Sequence, residues 1–153
     1  MAGEALECLG GNGYVEESGM PLLYREVPLN SIWEGSGNVQ CLDVLRALAR
    51  SPASLEAFFA EIELAGGAEP RLEVFAAGLR EEFADLEAIE ARARRVVEKM
   101  ALALQGSLLV RHAPAVVADA FCATRLDGPA PVFGILPPGT ATAAVVDRAA
   151  PVR

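Results

Sequence analysis

The stretch PRLEVFAAGLREEFADLEAIEARARRVVEKMALALQGS, residues 70–107, decides the fold. Small or apolar side chains return every three or four residues along it, with acids and arginines between them, as in an amphipathic helix. These positions are Leu72, Phe75, Leu79, Phe83, Leu86, Ile89, Ala93, Val96, Met100, Ala103 and Ser107. One helix over the whole span would be roughly 60 Å long at about 1.5 Å per residue. We therefore predict two helices with a break near residues 84–87, and a single bent helix is the alternative.

Proline and glycine residues on both sides of this stretch mark predicted helix starts and ends. Pro52 and Pro114 suit a first helical turn, and Gly66-Gly67 suits a helix end. The other helices predicted from these signals cover residues 4–9, 21–26, 36–50, 52–64 and 114–125. Strand-like alternation is absent before residue 130. The prediction is an all-α fold, a helical bundle of four to five main helices with an irregular Pro/Gly-rich C-terminal tail.

The same signals suggest how the chain is organised. We expect regions at residues 1–50, 51–126 and 127–153, the last being the irregular tail with a possible short helix at 140–149. The helix of residues 4–9 is too short to be stable alone. We therefore expect further chain before it.

Composition and charge restrict the class of protein. The 153 residues are 52% hydrophobic and 22% charged, which excludes a disordered chain and allows a sizeable core. No apolar run reaches the roughly 18 residues that span a bilayer, and the first residues do not resemble a signal peptide. A cytoplasmic protein without a membrane partner is expected. The net charge of −8 disfavours nucleic acid.

One local group of residues is basic although the chain as a whole is acidic. Arg92, Arg94, Arg95 and Lys99 lie close together in sequence and could form a basic patch. Their spacing within a helical stretch favours a solvated helix face instead.

The cysteines and the histidine do not indicate a metal site. Cys8, Cys41 and Cys122 are widely separated among apolar neighbours, which predicts buried free thiols rather than disulfides. The only histidine, His112, has no partner at a metal-binding spacing. We expect no metal.

Glu34 is the carboxylate with the most unusual surroundings. It stands between the only tryptophan, Trp33, and Gly35, directly before the helix predicted for residues 36–50. In a partly apolar pocket its pKa would rise, and it could then act as a base on a weakly acidic C–H group. An exposed loop glutamate is the commoner alternative, and the residues alone leave both open.

Two further segments have the chemistry of anion-binding sites. Gly10 and Gly11 would let backbone N–H groups approach a phosphate closely, although Gly-Asn-Gly mostly marks a turn. Ser36 and Asn38 lie at a predicted helix start, where N–H groups attract anions. Plain N-capping by either side chain is the alternative.

Residues 4–50 resemble the C-terminal segment of acyl-CoA dehydrogenases. The matching stretches are LGGNGY (9–14), LYRE (23–26) and IWEGSGNVQCLDVLR (32–46). The family combines a Gly-Gly-x-Gly turn with an aromatic-Glu-Gly-Ser/Thr-x-Gln/Asn motif, and both occur here at the family's distance. WEGSGN is most similar to a branch of adaptive-response flavoproteins. Residues 52–126 resemble, in layout, the extra C-terminal helical domain of that branch.

The resemblance implies an FAD-dependent oxidoreductase acting on an acyl-CoA substrate. Such enzymes remove a proton from the carbon alpha to the thioester while the beta hydrogen leaves as hydride to the flavin. The resemblance places the base on Glu34 and puts Trp33 near the flavin or the substrate. Ser36 and Asn38 match positions that contact FAD.

Gly10 and Gly11 are the basis for expecting a homo-oligomer. Gly10 and Gly11 match a turn that meets the dinucleotide of a neighbouring subunit, which implies a homodimer or homotetramer. One departure is Glu7, where the family often has glutamine, because a carboxylate would repel a pyrophosphate. The resemblance also places further domains before residue 4, so we expect the chain to be a C-terminal fragment that is inactive alone and does not retain FAD. The alternative, by analogy with the adaptive-response branch, is a helical oligomerisation or DNA-binding module.

Overall fold

The computed structural model describes residues 1–128 and 134–150, and these contain helices and no strand. The predicted all-α fold is confirmed. The α-helices are α1 (Ala2–Cys8), α2 (Gly11–Tyr14), α3 (Met20–Glu26), α4 (Gly37–Arg50), α5 (Pro52–Glu63), α6 (Pro70–Ala84), α7 (Ala93–His112), α8 (Ala115–Arg125) and α9 (Thr142–Ala149). Short 3-10 segments cover Glu16–Ser18, Val27–Ser31 and Ile89–Arg92. The chain divides into two compact units, Met1–Asp43 (the first unit) and Val44–Arg153 (the second unit).

The helix ends follow the proline and glycine signals. Pro52 and Pro70 are the first residues of α5 and α6, where a missing N–H removes no intrahelical bond. The Glu69 side chain caps α6 by accepting a hydrogen bond at 3.0 Å from the backbone N–H two residues later. After α5 the chain turns at Gly67, whose φ of +78° suits glycine. Pro114 lies directly before α8 rather than inside it.

In the second unit α7 is the central helix and packs against α5, α6 and α8. The core is formed by Phe59, Ile62, Ala65, Leu72, Leu79, Val96, Ala103, Cys122 and Leu126. Gly106 of α7 permits close packing at this point. A Cβ there would lie 3.0 Å from Leu126 Cδ1 and 3.3 Å from Leu72 Cδ1. Most of the apolar stripe predicted for residues 70–107 therefore faces this core.

The buried polar member of that stripe is Ser107. Its hydroxyl donates to the carbonyl oxygens of Glu61 and Ile62, each at 3.3 Å, and so links α7 to the last turn of α5. These bonds satisfy a side chain that is fully removed from solvent.

The helical stretch is interrupted between α6 and α7, so the prediction of two helices is confirmed. Asp85 adopts an extended backbone and Ala88 has a φ of +51°, before the chain re-enters a helix through the 3-10 segment. Leu86 lies within this break and is 64% exposed. Its assignment to the apolar helix face is wrong, because no helix orients it there.

Glu82, near the end of α6, joins the two sides of the break. Its side chain is 12% exposed and accepts hydrogen bonds from Lys99 at 2.8 Å, from Arg95 at 3.0 Å and from Arg92. The bond from Lys99, followed by those from Arg95 and Arg92, lowers the pKa of Glu82 to about 2, against the opposing effect of burial. The carboxylate is therefore ionised over the whole physiological range.

The cysteines differ in their surroundings. Cys122 is buried in the core, and this burial raises the pKa of its thiol to about 11. Cys41 is half-buried and Cys8 is exposed, and all three are free thiols. The prediction of a buried thiol is confirmed for Cys122 and wrong for Cys8, because α1 belongs to a unit with almost no interior.

The first unit is built from short helices, with α3 packed against α1 and α2. Gly13 is its single buried residue. A Cβ on Gly13 would lie 2.5 Å from the carbonyl oxygen of Leu6, so this approach requires glycine. Large apolar side chains remain exposed at Leu9, Tyr14, Val15, Leu22, Leu23, Tyr24, Val27, Leu29, Ile32, Trp33 and Val39.

The predicted tail is described in part. Within it α9 packs against α8, inside the segment 140–149 that favours a short helix. Residues 129–133 and 151–153 of the predicted tail lie outside the described residues. The region boundaries at residues 50 and 126 stay predictions. Over the described ranges, no helix has the length and apolar character needed to cross a membrane.

Candidate functional site

Trp33, Glu34 and Gly35 form the turn that precedes α4, and their backbone is unusual. Glu34 has a φ of +60° and Gly35 a φ of +110°. Glycine adopts positive φ freely, whereas the left-handed region costs another residue about 1–2 kcal/mol. Backbone strain of this kind concentrates at functional positions. The turn therefore marks Glu34 out from the other exposed glutamates of the first unit.

Gln40, in the first turn of α4, bonds to this turn at two points. Its side-chain amide Nε2 donates to the backbone carbonyl oxygen of Glu34, and its backbone N–H donates to that of Ser36 at 3.0 Å. Sequence reasoning missed Gln40. Its amide stands six residues after Glu34, but only the left-handed turn brings the two groups together.

An open depression of about 290 Å³ lies beside the turn. Its lining consists of Asn30, Ser31, Trp33, Glu34, Gly35, Gly37 and Gln40. Trp33 is 59% exposed, and Glu34 is exposed as well. The structure thus brings the predicted base and the predicted aromatic contact together at one site open to solvent. A carboxylate can accept a proton there, and the indole offers a flat apolar surface for stacking.

Ser36 and Asn38 lie at the start of α4, on either side of Gly37, and both are exposed. Because the Ser36 carbonyl accepts the hydrogen bond from Gln40 N–H, Ser36 occupies the N-cap position. The Ser36 hydroxyl and the Asn38 amide suit phosphate or sugar oxygens in type. Neither residue lines the depression beside Glu34. Their role in cofactor binding stays a prediction.

Gly10 lies in the turn between α1 and α2, and Gly11 is the first residue of α2. Gly10 has a φ of +57°, and a Cβ built on either glycine would meet no atom within 4 Å. The turn is therefore open to an approaching group, but it is not part of the depression beside Glu34. Glu7 accepts the Gly10 N–H at its carbonyl oxygen, at 2.9 Å, and lines a broader depression of about 910 Å³ that includes Tyr14 and Tyr24.

The structure shows how the four cations considered as a basic patch are arranged. Arg92, Arg95 and Lys99 all bond to Glu82, so their charges are partly neutralised, while Arg94 is exposed. This arrangement does not favour a nucleic-acid surface, and DNA binding stays an untested alternative. Among residues 1–128 and 134–150, no group of three or more His, Cys, Asp or Glu side chains is arranged to hold a metal ion.

Comparison with known proteins supplies a second line of evidence. Residues 1–49 match the family described as acyl-CoA dehydrogenase, C-terminal domain. The chain is 38% identical over 127 residues to the putative acyl-CoA dehydrogenase AidB of Escherichia coli (strain K12), a match covering 81% of this chain and 23% of AidB. It is 44% identical over 63 residues to acyl-CoA dehydrogenase family member 11 of Caenorhabditis elegans, covering 41% of this chain and 10% of that protein. The chain thus spans less than a quarter of either relative.

Proposed function

We propose that the chain, which matches the C-terminal domain of acyl-CoA dehydrogenases over residues 1–49 and is similar to AidB, belongs to that family and is part of a cytoplasmic FAD-dependent oxidoreductase. The proposed reaction is the alpha,beta-dehydrogenation of an acyl-CoA thioester. In it, residues 1–43 supply the catalytic base and part of the cofactor surface.

The observation that carries the proposal is the left-handed backbone of Glu34 beside the exposed Trp33. Glutamate rarely adopts the left-handed region, and strained residues of this kind are concentrated at functional positions. Here Glu34 and Trp33 both line one open depression. This supports a carboxylate oriented towards a bound molecule.

The proposed chemistry uses the carboxylate as an acceptor. Glu34 takes the proton from the carbon alpha to the thioester, and the electron pair left behind forms the carbon–carbon double bond as the beta hydrogen departs as hydride. FAD, when bound, supplies the hydride acceptor. Trp33 would limit the position of the flavin or the acyl group by stacking and by excluding water from the carboxylate.

The residues present fit a dinucleotide in their chemistry. Ser36 and Asn38 would donate hydrogen bonds to it, and the Gly10–Gly11 turn, which has no side chain in the way, would admit the phosphates of a cofactor held by a second copy. We propose a homodimer or homotetramer on this basis. We also propose that residues 1–153 alone neither retain FAD nor catalyse acyl-CoA oxidation. The first unit, which contains these proposed contacts, has one buried residue and therefore too little interior to enclose a cofactor.

The test is the variant Glu34→Gln in the complete gene product. Removing the base should lower kcat for acyl-CoA oxidation, followed with an electron-accepting dye on short and branched acyl chains, by about 10²- to 10⁴-fold, with bound FAD unchanged in the absorbance spectrum. Glu26→Gln, at an exposed position on α3, is the matched control and should keep full activity. An FAD-loaded Glu34→Gln protein with undiminished turnover would disprove the role of Glu34.

A further inference from the structure

We propose that Gln40 is a positioning residue for the Glu34 carboxylate. The inference rests on the proposed function, since it concerns the residue that would place the base. It begins from a polar side chain that neither the sequence motifs nor the comparisons single out. Its side-chain hydrogen bond joins the strained turn to α4.

The first step concerns where these bonds attach. The side-chain amide of Gln40 donates to the carbonyl oxygen of Glu34, before Gly35, and the backbone N–H donates to that of Ser36, after Gly35, at 3.0 Å. The backbone bond is the first i→i−4 bond of α4, which any residue other than proline would make, whereas the bond to Glu34 depends on the glutamine side chain. Because Gln40 belongs to the 14-residue helix α4, the orientation of the turn is set relative to a regular helix rather than a loop.

The second step concerns the conformational cost that the side-chain bond offsets. A glutamate at φ +60° would be expected to return to negative φ if nothing opposed it. A hydrogen bond to the Glu34 carbonyl opposes that rotation, because the carbonyl direction changes with the backbone dihedrals. Losing the bond would let the Glu34 Cα–Cβ bond turn away, and the carboxylate would move with it.

The third step concerns Gly35, which makes room for the amide. A Cβ built on Gly35 would lie 3.0 Å from Gln40 Nε2, inside normal packing distance. Glycine is therefore favoured at position 35 for two reasons. It adopts a φ of +110° without strain, and it leaves space for the Gln40 side chain that bonds to Glu34. Glu34, Gly35 and Gln40 form one unit in this interpretation.

The chemistry of the bond specifies the residue type. The partner is a carbonyl oxygen, so residue 40 must donate a hydrogen. Methionine has a side chain of similar length without a donor, and Gln40→Met therefore removes the bond with little change in size. The other glutamine of the chain, Gln105, is exposed on α7 in the second unit and provides a matched control, Gln105→Met.

The first measurement needs no catalysis. Backbone chemical shifts and residual dipolar couplings of residues 33–36, recorded by NMR on the 153-residue chain, should report positive φ at Glu34 in the wild type and in Gln105→Met. In Gln40→Met they should report a shift towards negative φ. An unchanged Glu34 backbone in Gln40→Met would overturn the inference.

The second measurement is kinetic and uses the FAD-loaded complete gene product. Misplacing a base by about 1 Å costs on the order of a hundredfold, so Gln40→Met should lower kcat about ten- to hundredfold and leave KM for acyl-CoA nearly unchanged. Gln105→Met should match the wild type. An unchanged kcat, or a loss confined to KM, would overturn the positioning role.

The two proposals fail separately. If Glu34→Gln keeps full activity, Glu34 is not the base and the catalytic role of Gln40 falls with it, whereas the NMR result still decides whether Gln40 holds the turn. If Glu34→Gln loses activity and Gln40→Met does not, the proposed function stands and only the positioning role is lost.

Discussion

In the second unit, α5 to α8 enclose fully buried side chains such as Leu79 and Val96, whereas the first unit buries Gly13 and leaves Leu22, Leu23 and Ile32 more than half exposed. Both units are helical and rich in leucine, so composition does not separate them. The difference lies in helix length and arrangement. Helices of 11 to 20 residues around α7 can share one core, while the four- to seven-residue helices α1 to α3 cannot enclose one.

The candidate site lies on the unit with the smaller interior. Burial of apolar surface is the main stabilising contribution to a fold, and within residues 1–43 it contributes little. Turn geometry there depends instead on glycine positions and on hydrogen bonds such as those of Gln40. A site of this kind is easily reached by ligand and is sensitive to the loss of single polar contacts.

The largest expected contrast is in hydrogen exchange of the wild-type chain. Amides in the middle of α7 should open with a free energy at least about 4 kcal/mol above that of amides in α1 to α3, so that they exchange about a thousandfold more slowly. Exchange followed by NMR or mass spectrometry, corrected for intrinsic rates, measures this. Equal protection in both units would break the comparison and show that the first unit is stabilised without a core.

A matched pair of leucine truncations gives the next largest effect. Leu79→Ala removes a side chain with no solvent exposure and should lower the free energy of unfolding by about 2–5 kcal/mol. Leu23→Ala, at a position 55% exposed in α3, should change it by no more than about 0.5 kcal/mol. Urea unfolding followed by far-UV circular dichroism compares the two. A large loss from Leu23→Ala would mean that this side chain is covered in solution.

The smallest effect expected is electrostatic and concerns the break between α6 and α7. The folded-state pKa of Glu82 is about 2, below its unfolded value near 4.3, so its contribution is present above that unfolded value and is lost as the pH falls towards about 2. Glu82→Gln should therefore cost on the order of 1–3 kcal/mol at neutral pH and weaken the loss of stability between pH 5 and pH 2.

Glu81→Gln is the control for that measurement, because Glu81 is its exposed neighbour on the same helix. Its pH–stability curve should follow that of the wild type. If Glu82→Gln and Glu81→Gln have the same pH–stability curve, the ion pairs of Glu82 with its three cations do not stabilise the segment between α6 and α7.

Much of the second unit could be predicted from the sequence, because its signals are local and repeated. Pro52, Pro70 and Gly67 mark helix ends, and the apolar period indicates the buried face of α6 and α7. Leu86 shows the limit of periodicity, since it continues the pattern through a segment where the helix has stopped. The exposure of Cys8 shows another limit, because apolar neighbours along the chain do not ensure a core around a residue.

The candidate site was predictable only in its residue types. The motif identifies Glu34 and Trp33, and the structure places both beside one depression. The left-handed φ of Glu34 and the bond from Gln40 were not foreseen, because glutamate disfavours that conformation and the amide reaches it only after the turn has formed. A strained turn is decided by interactions that the sequence pattern of a helix does not encode.

The single tryptophan has a spectroscopic consequence. Trp33 is the only indole in the chain, and it is 59% exposed next to Glu34. Tryptophan emission therefore reports on the candidate site alone and should be readily quenched by acrylamide in the free chain. A flavin or acyl group that covers the indole would protect it from the quencher, so binding at Glu34 can be followed without a label and independently of turnover.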